Sequence, residues 1–211
     1  MLFPITFLFV WLAIWSFVQI MVINKEKIEY FKKILDNSLF NLLIVIGWII
    51  FIFFLIPFSP QAKLIGEGMF ILNLIGQILI ISGVLIFIWL FIKKRGLGAQ
   101  EMDKLLTKGA YGFSRHPIYL GHMLIFYGLI FEIGAFDTLL LSPIIVILYL
   151  ITAKIEEIYS IGKIFKDQYY DYRKKVPMFL KWWIILILCI IFISYFTISI
   201  SYEFLIIIPH S

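Results

Sequence analysis

Six stretches of this chain are long and apolar enough to cross a lipid bilayer, and this limits the fold more than any other feature. A hydrocarbon core about 30 Å thick takes roughly 20 residues of helix. Only helices or closed barrels satisfy their backbone polar groups at that depth. The runs are Leu2–Ile23, Ser38–Phe58, Met69–Ile92, Pro117–Phe136, Thr138–Ile155 and Trp182–Ile208. They predict an all-α polytopic membrane helix bundle of about six transmembrane spans. The first run has no basic leader and no small-x-small cleavage site, so it reads as a span rather than a signal peptide. The fourth and fifth are short, the fourth carries Glu132, and a tight turn around Asp137 joins them as a helical hairpin.

Composition agrees with this reading. Hydrophobic residues make up 63% of the 211 and charged residues 15%, against roughly 45–50% and about 25% in soluble domains. A soluble globular enzyme, a disordered chain and a fibrous protein are excluded. The net charge of +5 would raise nucleic acid as a partner in a soluble domain. Here it is cation kept on one side of a bilayer, and no nucleic-acid partner is expected. The single cysteine, Cys189, excludes an intramolecular disulfide and a cysteine-based zinc site. His116, His122 and His210 are scattered, so no metal site is expected.

Charge also sets direction. Of the 18 lysines and arginines, 17 fall on the connections 24–37, 93–116 and 156–181, counting Lys154 at the edge of the last, and only Lys63 falls on the other side. The positive-inside rule then places the three long connections in the cytoplasm and both termini outside. The chain divides into an N-terminal three-span region (1–92), a core of cytoplasmic loop, helical hairpin and amphipathic helix (93–180), and an additional C-terminal span (181–211). The outside loops are too short for a domain, so any chemistry faces the cytoplasm or lies just inside the inner leaflet. No internal repeat points to an inverted-repeat transporter.

Two segments carry the polar density that chemistry needs. Residues 107–122 read Thr-Lys-Gly-Ala-Tyr-Gly-Phe-Ser-Arg-His-Pro-Ile-Tyr-Leu-Gly-His. Gly109 and Gly112 permit a tight loop with close backbone approach to a ligand. Pro117 suits the first turn of a helix and biases His116 toward extended backbone. Ser114–His116 therefore form the cap of the fourth span, where a helix N-terminus favours anions and Arg115 adds a planar cationic fork. His116 and Tyr119 share a helix face, and His122 continues it one turn deeper. A bland reading exists for each: Arg115 as an interfacial anchor, His116 as a cap, Tyr119 in an aromatic belt and His122 in packing. Four such residues where the chain enters the membrane are costly unless they face a cavity.

The second segment is 154–177. Ile155, Ile158, Gly162, Phe165, Tyr169, Tyr172 and Val176 make an amphipathic helical stripe, and Pro177 ends it. The bland reading is an interfacial helix on anionic lipid. The functional reading adds the carboxylates Glu156 and Glu157, the aromatic faces of Tyr169 and Tyr172, and the cations Arg173 and Lys175.

Together the two segments resemble the isoprenylcysteine carboxyl methyltransferase and phospholipid methyltransferase family, membrane enzymes that use S-adenosylmethionine. The family's Thr-x-Gly-Pro-Tyr-x-x-x-Arg-His-Pro-x-Tyr-x-Gly stretch is matched by Thr107, Gly109, Tyr111, Arg115, His116, Pro117, Tyr119 and Gly121. Its Glu-Glu, Phe-Gly-x-x-Tyr-x-x-Tyr and Val-Pro block is matched by Glu156, Glu157, Phe165, Tyr169, Tyr172, Val176 and Pro177. Ala110 stands where the family has proline, Lys166 where it has glycine and Lys175 where it often has arginine. The glutamate pair lies one residue further from Phe165, which makes Glu157 the better match. The resemblance implies a S-adenosylmethionine site built from Gly109, Tyr111, Arg115, His116, Tyr119, Leu120, Glu156, Glu157, Tyr169 and Tyr172. It implies roles in the chemistry for Arg115, Glu157 and Lys175. It also implies a lipophilic small-molecule or lipidated acceptor, an isoprenylcysteine carboxylate or a lipid amine, entering from the bilayer. Two other readings compete. Membrane sterol reductases share this C-terminal region and bind NADPH, whose 2′-phosphate Arg115, Arg173 and Lys175 could hold. A non-enzymatic scaffold needs none of this polar density.

Overall fold

The computed structural model describes residues 2–37, 39–40, 43–44, 46–47, 50, 67–92, 100–101, 104–133 and 136–181. Over these residues the chain is mostly helical. We number α1 (Leu2–Asn24), α2 (Glu29–Leu35), α3 (Glu67–Ile92), the short α4 (Ala110–Phe113), α5 (Pro117–Ile133), α6 (Phe136–Glu156), a π-helical turn (Glu157–Ile161) and α7 (Gly162–Lys175). The exception to the all-α expectation is a two-residue antiparallel ladder, β1 (Gln100–Glu101) on β2 (Lys104–Leu105), with Gln100 opposite Leu105.

Helices α1, α3, α5 and α6 coincide with four of the expected spans. Within 38–58, residues 39–40, 43–44, 46–47 and 50 are helical, and the remainder, with Lys63 and 182–208, lies outside the described residues. Phe70–Leu90 is long and apolar enough on its own to cross a membrane, while Val10–Asn24 and Pro117–Ile133 are shorter apolar helices. The expected turn at Asp137 is displaced. α5 ends at Ile133 and α6 starts at Phe136, so Asp137 lies in the first turn of α6.

Helices α3 and α5 pack tightly because glycines face each other across them. A Cβ added to Gly76 would lie 2.7 Å from the Gly128 carbonyl, and one added to Gly83 would lie 2.7 Å from that of Gly121. Each helix repeats its glycine after seven residues, so the same face returns at both levels. Small residues let membrane helices approach until their backbones touch. The outer flank of α3, with Phe70, Ile71, Ile78, Ile81 and Leu85, is exposed and apolar.

Two apolar clusters flank the polar residues. One joins α1, α5 and α6 through Trp11, Met123, Phe126, Ile130, Leu148 and Tyr149, with Phe179 closing its end. The Trp15 indole N–H donates to Thr152 Oγ1 at 3.0 Å, tying α1 to α6. The other gathers Leu90, Leu106, Tyr111, Ile161, Phe165, Tyr169, Tyr172 and Val176 at the far end of the bundle.

The α6–α7 segment departs from the expected stripe. Ile158 is 58% exposed and Ile161 is buried in its place. The inward positions run Ile145, Tyr149, Ala153, Glu157, Ile161, Phe165 and Tyr169, each four residues after the last. In a straight α-helix of 3.6 residues per turn, each such step drifts by about 40°. The π-helical turn, which takes more residues per turn, and a backbone break at Lys166 (φ 40°, ψ −114°) reset the phase. Gly162 closes the wide turn, where a Cβ would collide with the Glu157 carbonyl.

The basic connections converge on this end of the bundle. Lys25 donates to Ser160 Oγ at 2.9 Å and Lys163 pairs with Glu26 at 2.6 Å. Residues 114–116 lie against 177–178.

Candidate functional site

Two X-Pro steps build the frame of the site. A residue before proline is held in extended backbone, and both Pro117 and Pro177 impose this. Val176, directly before Pro177, is extended at φ −115°, ψ 129°, and Ser114, two residues before His116, is extended as well, at φ −138°, ψ 142°. The two extended pieces pair. Arg115 N–H donates to the Pro177 carbonyl at 3.0 Å and His116 N–H to the Met178 carbonyl at 3.2 Å. The fully buried Ser114 hydroxyl also donates to the Met178 carbonyl, at 2.9 Å. As expected, α5 opens on Pro117, with His116 in the capping position.

Arg115 is buried where this frame meets α7. Its Nε donates to Glu157 Oε1 at 2.9 Å, and the two side chains are 9% and 2% exposed. Its Nη1 donates to the carbonyls of Arg173 at 2.9 Å and Val176 at 3.1 Å. Those carbonyls end α7 and have no partner within the helix, and a cation is favoured there. Arg115 thus links the cap of α5, the π-helical turn and the end of α7.

His116 sits between two carboxylates. Its Nε2 is 3.2 Å from Glu157 Oε1 and its Nδ1 is 3.3 Å from Glu156 Oε2. The Tyr119 hydroxyl donates to the same Glu156 oxygen at 3.1 Å. The imidazole stacks on the Tyr119 ring, with centroids 5.4 Å apart and planes 6° from parallel, and meets Phe179 edge-on. Burial disfavours the charged imidazole, but hydrogen bonds and charge from Glu156 and Glu157 outweigh it and raise the His116 pKa above 6.5. For Glu157, burial pushes the pKa up, and contacts to His116 and Tyr169 with the Arg115 charge reverse this and hold it below 4.5. The site therefore holds a triad in which Arg115 and His116 share one Glu157 oxygen, an arrangement that favours the charged carboxylate.

The second Glu157 oxygen, Oε2, is buried and lies near the buried Tyr169 hydroxyl, and neither atom meets hydrogen-bond geometry with a partner. Burial, with the Glu157 charge, drives the Tyr169 pKa up, and burial does the same for Tyr172. The Tyr172 hydroxyl donates to the Tyr111 carbonyl, which fastens α4 to α7.

The structure thus brings Arg115, His116, Tyr119, Glu156 and Glu157 into one network, with Tyr169 at its edge. Leu120 is buried behind it and donates its N–H to the His116 carbonyl at 3.0 Å. Tyr111 and Tyr172 support it from the second apolar cluster. Gly109 stands apart. Its φ of 67° favours glycine, and a Cβ there would collide with the Trp89 ring, so its close approach is to α3. Lys175 is exposed at the end of α7 and makes no polar contact among the described residues. Arg173 enters only through its carbonyl, its side chain being exposed. Met178 and Phe179 escaped the sequence reading. The second X-Pro step, which mirrors His116–Pro117, was the signal that could have found the Met178 contact.

Against known proteins, a family model described as phospholipid methyltransferase matches residues 62–168, just over half of the chain. No curated protein and no solved structure matches the chain.

Proposed function

The chain belongs to the phospholipid methyltransferase family, a family of membrane methyltransferases, and we propose that it moves a methyl group from S-adenosylmethionine to a lipophilic acceptor. The observation that carries this reading is the buried network of Arg115, His116, Tyr119, Glu156 and Glu157, joined across two segments at the end of the bundle where the basic connections meet. In this reading the chain crosses the membrane six times, with both termini outside and this end in the cytoplasm, where a water-soluble cofactor is available. Residues 93–180 carry the chemistry.

The residues present suit that cofactor. Glu157 Oε2 is a buried acceptor without a hydrogen-bond partner, which suits a donor such as a ribose hydroxyl or an amino group. The Nη2 of Arg115, which no described residue takes, suits a carboxylate. The Tyr119 ring, stacked on His116, offers an aromatic surface suited to an adenine. When bound, S-adenosylmethionine supplies an electrophilic methyl group on sulfur. The chain's own part is to orient and to exclude water. Glu156 and Glu157 hold hydrogen-bond donors, and the Arg115–Glu157 pair fixes the α5 cap against α7. An amine acceptor would hand its proton to a carboxylate of this network, whereas an isoprenylcysteine-type carboxylate would need a cation to align it.

A reductase reading is less well supported. A 2′-phosphate calls for several cations, yet the Arg115 charge is matched by Glu157, and the Arg173 and Lys175 side chains are exposed. The decisive experiment is transfer of a radiolabelled methyl group from S-adenosylmethionine to extracted lipids, with thermal protection by S-adenosylmethionine against NADPH as the comparison. Transfer with protection by S-adenosylmethionine alone is expected. Protection by NADPH without transfer would reverse the assignment.

A further inference from the structure

One polar side chain lies deeper in α5 and takes no part in the network. His122 is three residues beyond Tyr119, so it continues that face of the helix. Its ring is bracketed by Phe87 of α3, with centroids 5.0 Å apart, and by Tyr149 of α6, with centroids 6.2 Å apart. Tyr149 in turn lies 5.5 Å from Tyr119, whose ring stacks on His116. A continuous line of rings therefore leads from the charged network into the apolar part of the bundle. The absent side chain at Gly121 makes room for it, since a Cβ there would lie 3.1 Å from the Phe87 ring.

His122 Nδ1 is buried without a hydrogen-bond partner, and His122 makes no hydrogen bond to any described residue. Some other polar groups of these helices bond within the protein. Trp15 and Thr152 satisfy each other, and Ser82 bonds its own helix. A half-buried imidazole whose inward Nδ1 is left unsatisfied among apolar helices is placed to hold a ligand.

We propose that His122 holds the polar end of the methyl acceptor, and that this end is an uncharged group bearing a proton: a hydroxyl, a thiol or a neutral amine. The proposal rests on the methyltransferase reading above. A neutral imidazole offers one donor and one acceptor nitrogen, which matches such a group. A carboxylate would carry its charge into the apolar stretch of α5 around His122, two turns deeper than Arg115. The rings of Phe87, Tyr149 and Tyr119 would line the approach for a lipophilic body entering between α3, α5 and α6.

The test uses the full-length protein in phosphatidylcholine vesicles containing a stepped fraction of total lipid extract from the source membranes. Labelled S-adenosylmethionine is the methyl source, and wild type is compared with His122→Leu and His122→Gln. For His122→Leu we expect the extract fraction giving half-maximal labelling to rise at least tenfold. Its half-saturating S-adenosylmethionine concentration should stay within twofold of wild type. His122→Gln keeps a donor and an acceptor and should recover at least a third of the wild-type efficiency. The labelled product should withstand mild alkali. An unchanged acceptor dependence in His122→Leu would overturn the proposal, as would parallel losses for cofactor and acceptor with a lowered melting temperature in both variants. Label released by alkali as methanol would mark a methyl ester and overturn the protic-acceptor assignment. No labelling by wild type would instead overturn the methyltransferase reading, and this proposal with it.

Discussion

Arg115→Lys separates the geometry of the arginine from its charge. Arg115 makes three bonds from one guanidinium: Nε to Glu157, and Nη1 to the carbonyls of Arg173 and Val176. Lysine keeps the positive charge but presents a single nitrogen on a shorter reach, so it can retain the Glu157 contact and not the fork across the end of α7. Two charge-assisted bonds are lost, each contributing about 1.5–3 kcal/mol net. The α7 carbonyls partly recover by meeting water, which brings the expected cost to about 3 kcal/mol. For a chain of this size that lowers Tm by roughly 6–12 °C. Tryptophan fluorescence of the detergent-solubilised protein reads the transition. Arg115→Met should cost more, because it leaves the buried Glu157 carboxylate with the His116 contact alone on that oxygen. Turnover measured well below both transitions then tells staple from chemistry: a purely structural arginine leaves the folded Arg115→Lys protein with full specific activity, and a chemical one loses about tenfold or more. An Arg115→Lys protein melting within about 2 °C of wild type would refute the argument, since the fork would then contribute under about 1 kcal/mol.

Three further outcomes follow from other parts of the molecule. Lys166 holds φ 40° and is exposed, so Lys166→Gly should relieve about 1–3 kcal/mol of backbone strain against about 1 kcal/mol of lost chain entropy. Tm should rise by roughly 2–4 °C, while Lys166→Ala, which keeps a Cβ, should gain nothing; equal gains in both would place the effect elsewhere. Stability should also depend on pH in two directions. His116 has a raised pKa, so its contribution is complete below 6.5 and is lost as pH rises through the raised value, whereas Glu157 has a lowered pKa, so its contribution is complete above 4.5 and is lost as pH falls through the lowered value. Melting temperatures should peak between these limits, and His116→Asn should flatten the alkaline side; a peak well above neutrality would contradict the buried triad. Finally, Gly83→Leu must force α3 away from the Gly121 carbonyl and should cost about 1–3 kcal/mol or more, while Val84→Leu, on the exposed flank beside it, should change Tm little.

Apolar runs, Pro117 and the spacing of polar residues are local properties, and for that reason the helices α1, α3, α5 and α6, the start of α5 and the two chemistry-bearing segments could be read directly from the chain. That the two segments share one site followed from the family resemblance, since charge alone does not choose a partner among 18 lysines and arginines. Three features needed the folded molecule. Arg115 and Glu157 are 42 residues apart, and no periodicity fixes which carboxylate meets the fork and which, Glu156, meets Tyr119. The inward stripe of α6 and α7 advances by four residues, a spacing a regular α-helix cannot hold in line. It is held by the π-helical turn and the break at Lys166, beside the second apolar cluster that takes Ile161, Phe165 and Tyr169. Gly76 and Gly83 read as ordinary members of a lipid-facing span until α5 brings Gly128 and Gly121 against them. Sequence fixes which residues can be buried in a bilayer, since that depends on each side chain's own transfer free energy. Which buried atoms touch depends on the relative placement of whole helices, and that is decided only when their surfaces pack.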